Sequence, residues 1–149
     1  MIDIALYQPD IAPNAGTIIR MAACLGLKVR VIEPAGFVMT DSALRRAGMD
    51  YLDRAAIITD ASWAAFRGAT AGRRIILMTT KAALAYTQFA FAAGDILLMG
   101  RESAGVPEAV HAAADARITI PMQAGERSLN VALACAMATG EALRQLGAA

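Results

Sequence analysis

Two short apolar runs late in the chain, Ile96-Leu97-Leu98-Met99 and Arg117-Ile118-Thr119-Ile120, constrain the whole fold. Each is followed by a glycine-containing polar loop and then by a helical pattern, in the stretch GDILLMGRESAGVPEAVHAAADARITIPMQAGERSLNVALACAMATGEALRQL that begins at Gly94. Short apolar runs bounded by turn residues fit strands covered on both faces. Strand, loop and helix in alternation imply an α/β class, a mostly parallel sheet flanked by helices. Ligands in such sheets gather at the carboxyl ends of strands. Gly100 to Gly105 and Pro121 to Ser128 are therefore the candidate site loops.

The upstream chain reads as support for them. A strand over Ile2 to Tyr7 runs into Gln8 to Asn14, where Pro9 and Pro13 argue against helix and Asn14 is placed to cap the next helix. That helix is predicted from about Ala15 to Leu25, with Ile18, Ile19, Ala22 and Leu25 on one stripe, ended by Gly26. Val29 to Ile32 is the second strand, and a parallel βαβ start is the economical topology. Asp41 to Ala47 reads as a short helix carrying Arg45 and Arg46, Arg54 to Thr59 as a strand, and Asp60 as the cap of a helix over Ala61 to Arg67. Arg73-Arg74 leads the strand Ile75 to Met78, after which Thr79 to Ala83 leaves on the same rim as the site loops. Pro107 suits the first turn of a helix over Glu108 to Ala114. Ser128 starts the longest helix, which ends near Gly147. Its small residues Ala132, Ala136 and Gly140 recur every four positions, a ridge suited to a twofold dimer seam. No repeat or linker interrupts the chain, so a single domain over residues 1–149 is expected.

Composition narrows the partners. The 149 residues are 57% hydrophobic but only 5% aromatic, so aliphatic side chains fill the core, and the net charge of +1 excludes nucleic-acid binding through bulk charge alone. Any RNA contact must rest on local patches. No signal peptide precedes the first strand, and no uncharged apolar run approaches the ~20 residues of a spanning helix. Cys24 and Cys135 stand alone, with no zinc-ligand spacing, and read as buried, inert thiols in a reducing cytoplasm.

Several motifs are excluded by their own chemistry. Gly100-Arg101-Glu102-Ser103-Ala104-Gly105 has the glycine spacing of a phosphate loop, yet Val106-Pro107 stands where Lys and Ser/Thr are needed. No GxGxxG follows the first strand, which disfavours a dinucleotide fold. His111 reads as a solvent-edge or packed histidine, Trp63 as a core anchor, the methionines as gap-fillers, and Asp10, Glu33 and Asp41 as solvated carboxylates.

The sharper signal is the combination of Asn14-x5-Arg20, Gly100-x-Glu102-x2-Gly105-x-Pro107 and Ile120-Pro121-Met122-x4-Arg127-Ser128-x-Asn130. Together these resemble the three motifs of the SPOUT superfamily of RNA methyltransferases. Within it the chain is similar to the minimal branch that methylates the wobble-nucleotide 2′-hydroxyl of certain leucine tRNAs. Ile32-Glu33-Pro34-x-Gly36-Phe37 and Leu44-Arg45-Arg46-Ala47-Gly48-x2-Tyr51 belong to the same likeness, which spans nearly all of Ile2 to Leu146.

The resemblance implies a carboxyl-terminal segment threaded into a trefoil knot, a homodimer, and S-adenosylmethionine as methyl donor without a metal. Carried over by position, Met78, Thr79, Gly100, Ile120 and Ser128 would bind the cofactor. Asn14, Arg20, Glu102, Ser128 and Asn130 would serve catalysis. Arg20 orients the 2′-hydroxyl and stabilises the developing alkoxide, since a guanidinium is a poor base. Asn14, Ser128 and Asn130 position the ribose or its phosphate. Glu102 either lies near the sulfonium or holds an arginine in a structural loop bridge. Ala104 and Ala132 depart from residues common in the family, arginine and serine, and Arg101 lies close enough to replace the first charge. Arg45, Arg46, Arg73, Arg74, Arg101 and Arg127 are the candidate contacts to a tRNA anticodon arm. The alternatives are methylation at another tRNA or rRNA position, a non-catalytic RNA-binding protein on the same fold, and, as an outsider, a nucleotide-dependent oxidoreductase.

Overall fold

The computed structural model describes residues 1–46 and 49–147. Ala47 and Gly48 of the arginine-containing motif, and with them the expected end of its helix, lie outside the described residues. The elements run β1 (Asp3–Tyr7), α1 (Ala12–Leu25), β2 (Lys28–Ile32), α2 (Asp41–Arg46), β3 (Ala56–Asp60), α3 (Trp63–Ala69), β4 (Ile75–Met78), β5 (Ile96–Met99), α4 (Glu108–Ala113), β6 (Ala116–Ile118) and α5 (Val131–Leu146). The strands form one sheet in the order β3-β2-β1-β5-β4-β6, every pair parallel.

Continuous apolar runs place β1, β5 and β4 at the centre, where each side of the pleat is covered. Ile4, Leu6, Val29, Val31, Ile76, Leu97 and Met99 pack with α1 and α5 on one face. Ala5, Tyr7, Ile32, Ile75, Leu77 and Leu98 pack with Phe66 of α3 and Val110 of α4 on the other. Trp63 sits half-buried against Tyr7 and Phe66, with ring centroids 6.0 and 5.3 Å away. The connection from β3 to β4 crosses the sheet, so the chain reverses its direction of growth and opens a crevice at the carboxyl ends of β4, β5 and β6.

Element starts differ from the sequence expectation for local reasons. Pro13 lies inside the first turn of α1, where its missing N–H costs nothing, so the helix begins at Ala12 and Asn14 is within it rather than capping it. Asp60 ends β3 instead of capping α3. It is buried in a two-pronged pair with Arg30, at 2.9 and 2.8 Å, and Ser62 Oγ takes the capping role by accepting from Ala65 N. The last helix starts at Val131, not Ser128, because Asn130 Oδ1 accepts from the N–H groups of Ala132 and Leu133. β6 stops at Ile118, after which Thr119 pairs with the β4–β5 connection.

The small-residue ridge is split. Ala132 is buried, Ala136 and Gly140 are exposed, and the outward face of α5 carries Leu133 and Met137 at 60% and 41% exposure. Of the two thiols, only Cys135 is buried, which pushes its pKa up to about 12; Cys24 is exposed, contrary to expectation, because it lies on the solvent side of α1.

Candidate active site at the carboxyl rim

The loops of the two later motifs converge with the chain leaving β4. A cleft of about 370 Å³ opens where β4, β5 and β6 end, and Met78, Thr79, Gly100, Ile120 and Ser128 all line it, together with Glu102. Its back wall is a tight hairpin-like loop. Arg101 and Gly105 exchange backbone bonds of 3.0 and 2.9 Å, and Gly105 adopts a φ of 62°. Gly100 lies so close to the far limb that a Cβ there would stand 3.0 Å from both Cα and C of Gly105. Glycine at 100 is thus a steric requirement of the loop, independent of any ligand.

The opposite wall is held by β6 and its extension. Thr79 N donates to Ile118 O at 2.9 Å, Thr119 N donates to Leu84 O at 2.9 Å, and Tyr86 N donates to Thr119 O at 2.8 Å. The β4–β5 connection and the chain leaving β6 therefore form one continuous rim.

The lining suits a nucleoside carrying a charged amino-acid tail. Met78 and Ile120 offer apolar contact for a purine face, and the backbone of the glycine loop offers an edge for hydrogen bonds. Lys81, Arg101 and Arg127 offer cations for a carboxylate. His111, expected to be a bland surface or packed residue, turns beneath the loop into the cleft wall. Its Nε2 is buried and has no partner among the described residues. No pattern in the surrounding alanines signals this, because only the packing of α4 under the Gly100 loop brings the ring there.

Glu102 does not hold an arginine. Its Oε2 accepts from Asp10 N at 3.3 Å, and Ser103 Oγ donates to the Asp10 carboxylate. Burial pushes the Glu102 carboxyl above its ordinary range and the hydrogen bond with Asp10 adds to this, while the same contact and Ser103 hold Asp10 low. Of the two, Glu102 is therefore the one that gives up its proton at the higher pH. Asp10 is no freely solvated carboxylate either: its Oδ1 is buried without a partner among the described residues. Gly36 presses on it from the other side, where a Cβ would meet Asp10 Cα at 2.8 Å. Arg101 extends the same stitching, with its guanidinium 5.5 Å from the Tyr7 ring centroid and Nη1 3.4 Å from Gln8 Oε1.

The other catalytic candidates lie apart from the cleft lining. Asn130 Nδ2 donates to Asn14 Oδ1 at 3.0 Å, so residues 116 positions apart join where α1 meets α5. Arg20 is exposed on α1, its guanidinium 5.7 Å from the centroid of the Tyr51 ring. The expectation that Asn14 and Arg20 both face the rim of the first strand holds for Asn14, near the start of α1, and not for Arg20, nearly two turns further on.

The basic candidates divide. Arg127 stands at the mouth of the cleft and Arg101 in its wall. Arg46 is exposed in α2, and Arg45 is exposed but bonded to Asp53 at 2.6 Å. Arg73 and Arg74 are a correction. They lie at the opposite, amino-terminal rim, where Arg73 pairs with Asp3 at 2.7 Å and Arg74 holds both oxygens of Asp95 at 2.8 and 2.6 Å. Their charges are committed to the fold. Among the described residues no three His, Cys, Asp or Glu side chains cluster as metal ligands, and no helix is long and apolar enough to cross a membrane.

Comparison with known proteins agrees with this geometry. The family model of the SpoU rRNA Methylase family matches residues 1–140. The tRNA (cytidine(34)-2'-O)-methyltransferase of Beijerinckia indica is 60% identical over 147 residues, covering 97% of this chain and 92% of that protein. Its namesake in Escherichia coli K12 is 40% identical over 149 residues, covering 99% and 95%. A solved structure described as giving insights into the 2-OH methylation of C/U34 on tRNA superposes with a TM-score of 0.92 at 39% identity, covering 100% of this chain and 98% of that one. An AdoMet-bound rRNA methyltransferase from Sinorhizobium meliloti superposes at 0.83 with 27% identity, over 97% of this chain and 56% of that one. Matched along almost its whole length in both sequence and fold, the chain belongs to the SpoU rRNA Methylase family.

Proposed function

We propose that this protein is a tRNA 2′-O-methyltransferase that uses S-adenosylmethionine to methylate the ribose of the wobble nucleotide, a cytidine or uridine derivative, in leucine tRNAs. One observation carries the reading: the two motifs that follow β5 and β6 meet the chain leaving β4 as the walls of a single cleft, in a chain that covers 92% and 95% of relatives named tRNA (cytidine(34)-2'-O)-methyltransferase. Met78, Thr79, Gly100, Ile120 and Ser128 would hold the cofactor, which supplies an electrophilic methyl group on a sulfonium.

The protein's share is positioning and charge. The 2′-oxygen must approach the methyl carbon in line with the breaking carbon–sulfur bond, and such placement is the main source of acceleration open to a displacement of this kind. Arg20 orients the hydroxyl and offsets the negative charge that grows on its oxygen as the proton leaves. Glu102 lines the cleft wall, where its hydrogen bond from Asp10 N fixes the loop that carries it. Asn14 and Asn130, joined to each other, position the ribose or its phosphate.

Arg20 and Asn14 line no part of their own chain's cleft, which supports a homodimer in which each copy completes the other's site. The exposed Leu133 and Met137, beside Ala136 and Gly140, give α5 an apolar face for that contact, and the exposed Leu129 precedes it in the loop. The trefoil knot is part of the same proposal. Its support is the pairing of Thr119 with Leu84 and Tyr86 and the return of α5 to pack on α1 beside β5. A single domain over 1–149 working on the anticodon stem-loop in the cytoplasm completes the reading.

The test is incubation with isotope-labelled S-adenosylmethionine and unmodified total tRNA, followed by digestion and mass mapping. Label on the 2′-oxygen of the wobble nucleotide of leucine tRNAs is expected. Label elsewhere on tRNA overturns the position, and no label with intact cofactor binding by calorimetry overturns the tRNA reaction.

A further inference from the structure

Tyr51 belongs to none of the site loops, yet it is the residue that governs where Arg20 can be. It is 6% exposed, and its hydroxyl donates to the carbonyl of Gly16 in the middle of α1. Residues 16 and 20 are four apart and share one face of the helix. In an α-helix that same carbonyl accepts the N–H of residue 20. The ring therefore lies along the surface between Gly16 and Arg20, and the guanidinium sits 5.7 Å from its centroid. Glycine at 16 admits this arrangement: a Cβ there would stand 2.8 Å from Met49 Cε and 3.4 Å from Tyr51 Oη. Met49, at 3% exposure, belongs to the same core cluster as Tyr51.

The kind of partner matters as much as the place. Arg30, Arg45, Arg73, Arg74 and Arg144 each pair with a carboxylate. Among the described residues Arg20 has no such partner. A carboxylate occupies N–H donors and cancels charge, whereas a ring face restrains a cation and leaves its in-plane donors open. Burial pushes the Tyr51 phenol up, so it stays a hydroxyl and a donor.

We propose that Tyr51 is a positioning residue, which restrains Arg20 on its ring face so that the guanidinium keeps its full charge and all its donors for the acceptor ribose. This rests on the reading that Arg20 acts at the 2′-oxygen.

The experiment is a double-mutant cycle in single-turnover methyl transfer to tRNA, with affinities for tRNA and S-adenosylmethionine measured in parallel. Tyr51→Leu is expected to slow transfer about tenfold, the upper reach of a partly exposed cation–ring contact, with both affinities within about twofold of wild type. Tyr51→Phe, which keeps the ring and loses the tether to Gly16, is expected to fall between. In an Arg20→Ala background, Tyr51→Leu should cost nothing further. An equal loss in both backgrounds, an unchanged rate in Tyr51→Leu, or a loss expressed wholly in tRNA affinity overturns the inference. Full activity in Arg20→Ala alone overturns the reading of Arg20, and the inference with it. Should Tyr51→Leu fail to fold by circular dichroism, Tyr51→Phe decides: a few-fold slower transfer at unchanged affinity supports the inference, and a wild-type rate overturns it.

Discussion

The two rims of the sheet carry the same kind of side chain in opposite company. At the amino-terminal rim, Arg73 and Arg74 meet Asp3 and Asp95, which stand at the starts of β1 and β5, and the Asp95 side chain is 3% exposed. At the carboxyl-terminal rim, Lys81, Arg101 and Arg127 border the cleft with no carboxylate in ion-pair range among the described residues. Paired charges at one end lock strand starts together. Unpaired charges at the other end remain available to an anionic ligand, at the cost of leaving that rim held mostly by backbone bonds and glycine contacts. A near-neutral chain can bind RNA in this way because its cations are sorted by place, not added in number.

The sharpest test of this division is Gly100→Val. The branched side chain must displace Gly105 or invade the cleft, and S-adenosylmethionine binding is expected to weaken by about a hundredfold or more, read by calorimetry. The melting transition should fall as well, because the added side chain presses on the backbone of Gly105, so binding is read on the folded fraction. Arg74→Ala is the mirror image. It leaves the buried Asp95 without its main partner and should cost about 1–3 kcal/mol in urea unfolding, discounted for the partial exposure of the arginine. Methylation per folded molecule should be unchanged, and a loss of tRNA affinity would restore Arg74 to the RNA-binding set.

A smaller effect is expected from Arg127→Ala. It should weaken tRNA binding a few-fold and reduce the slope of log affinity against log salt by about 1, whereas Arg74→Ala should leave that slope alone. The smallest is Glu102→Gln. The folded Glu102 carboxyl titrates above its ordinary 4.5, so the stability it contributes is complete below that pH and is lost as pH rises through its folded value. Asp10 runs the other way, its contribution present above 3.8 and lost as pH falls. Glutamine mimics the protonated acid, so above pH 4.5 the variant's melting temperature should vary less with pH than that of wild type and end slightly higher. An unchanged profile would mean that Glu102 is ionised throughout.

Much of the frame was legible because burial on both faces writes a simple pattern. The bounds of β4 and β5 coincide with the apolar runs Ile75 to Met78 and Ile96 to Met99. Helix starts were less legible, because they depend on which of several polar residues wins a cap. Asn130 and not Ser128 caps α5, and Ser62 and not Asp60 caps α3, since Asp60 is drawn into the core by Arg30. The motif residues that follow β5 and β6 were traceable to one rim through strand ends alone, whereas Arg20, on a helix, was not. Nor was His111, for it reaches its place through α4, which carries no motif signal, and Tyr51, though named within a motif, gave no sign there of its contact with Gly16 and Arg20 of α1.

By itself the sequence determined the α/β class, the parallel sheet, the rim at which ligands gather and the family, because these follow from periodicity, from strand ends and from short motifs read locally. Only the tertiary structure decided which arginines are committed and which are free. It alone decided that Glu102 faces Asp10 and that Asn14 meets Asn130. Those outcomes depend on contacts between residues 21 to 116 positions apart, and the energy of a charge is set by its neighbours in space and by its exposure, which no local pattern encodes.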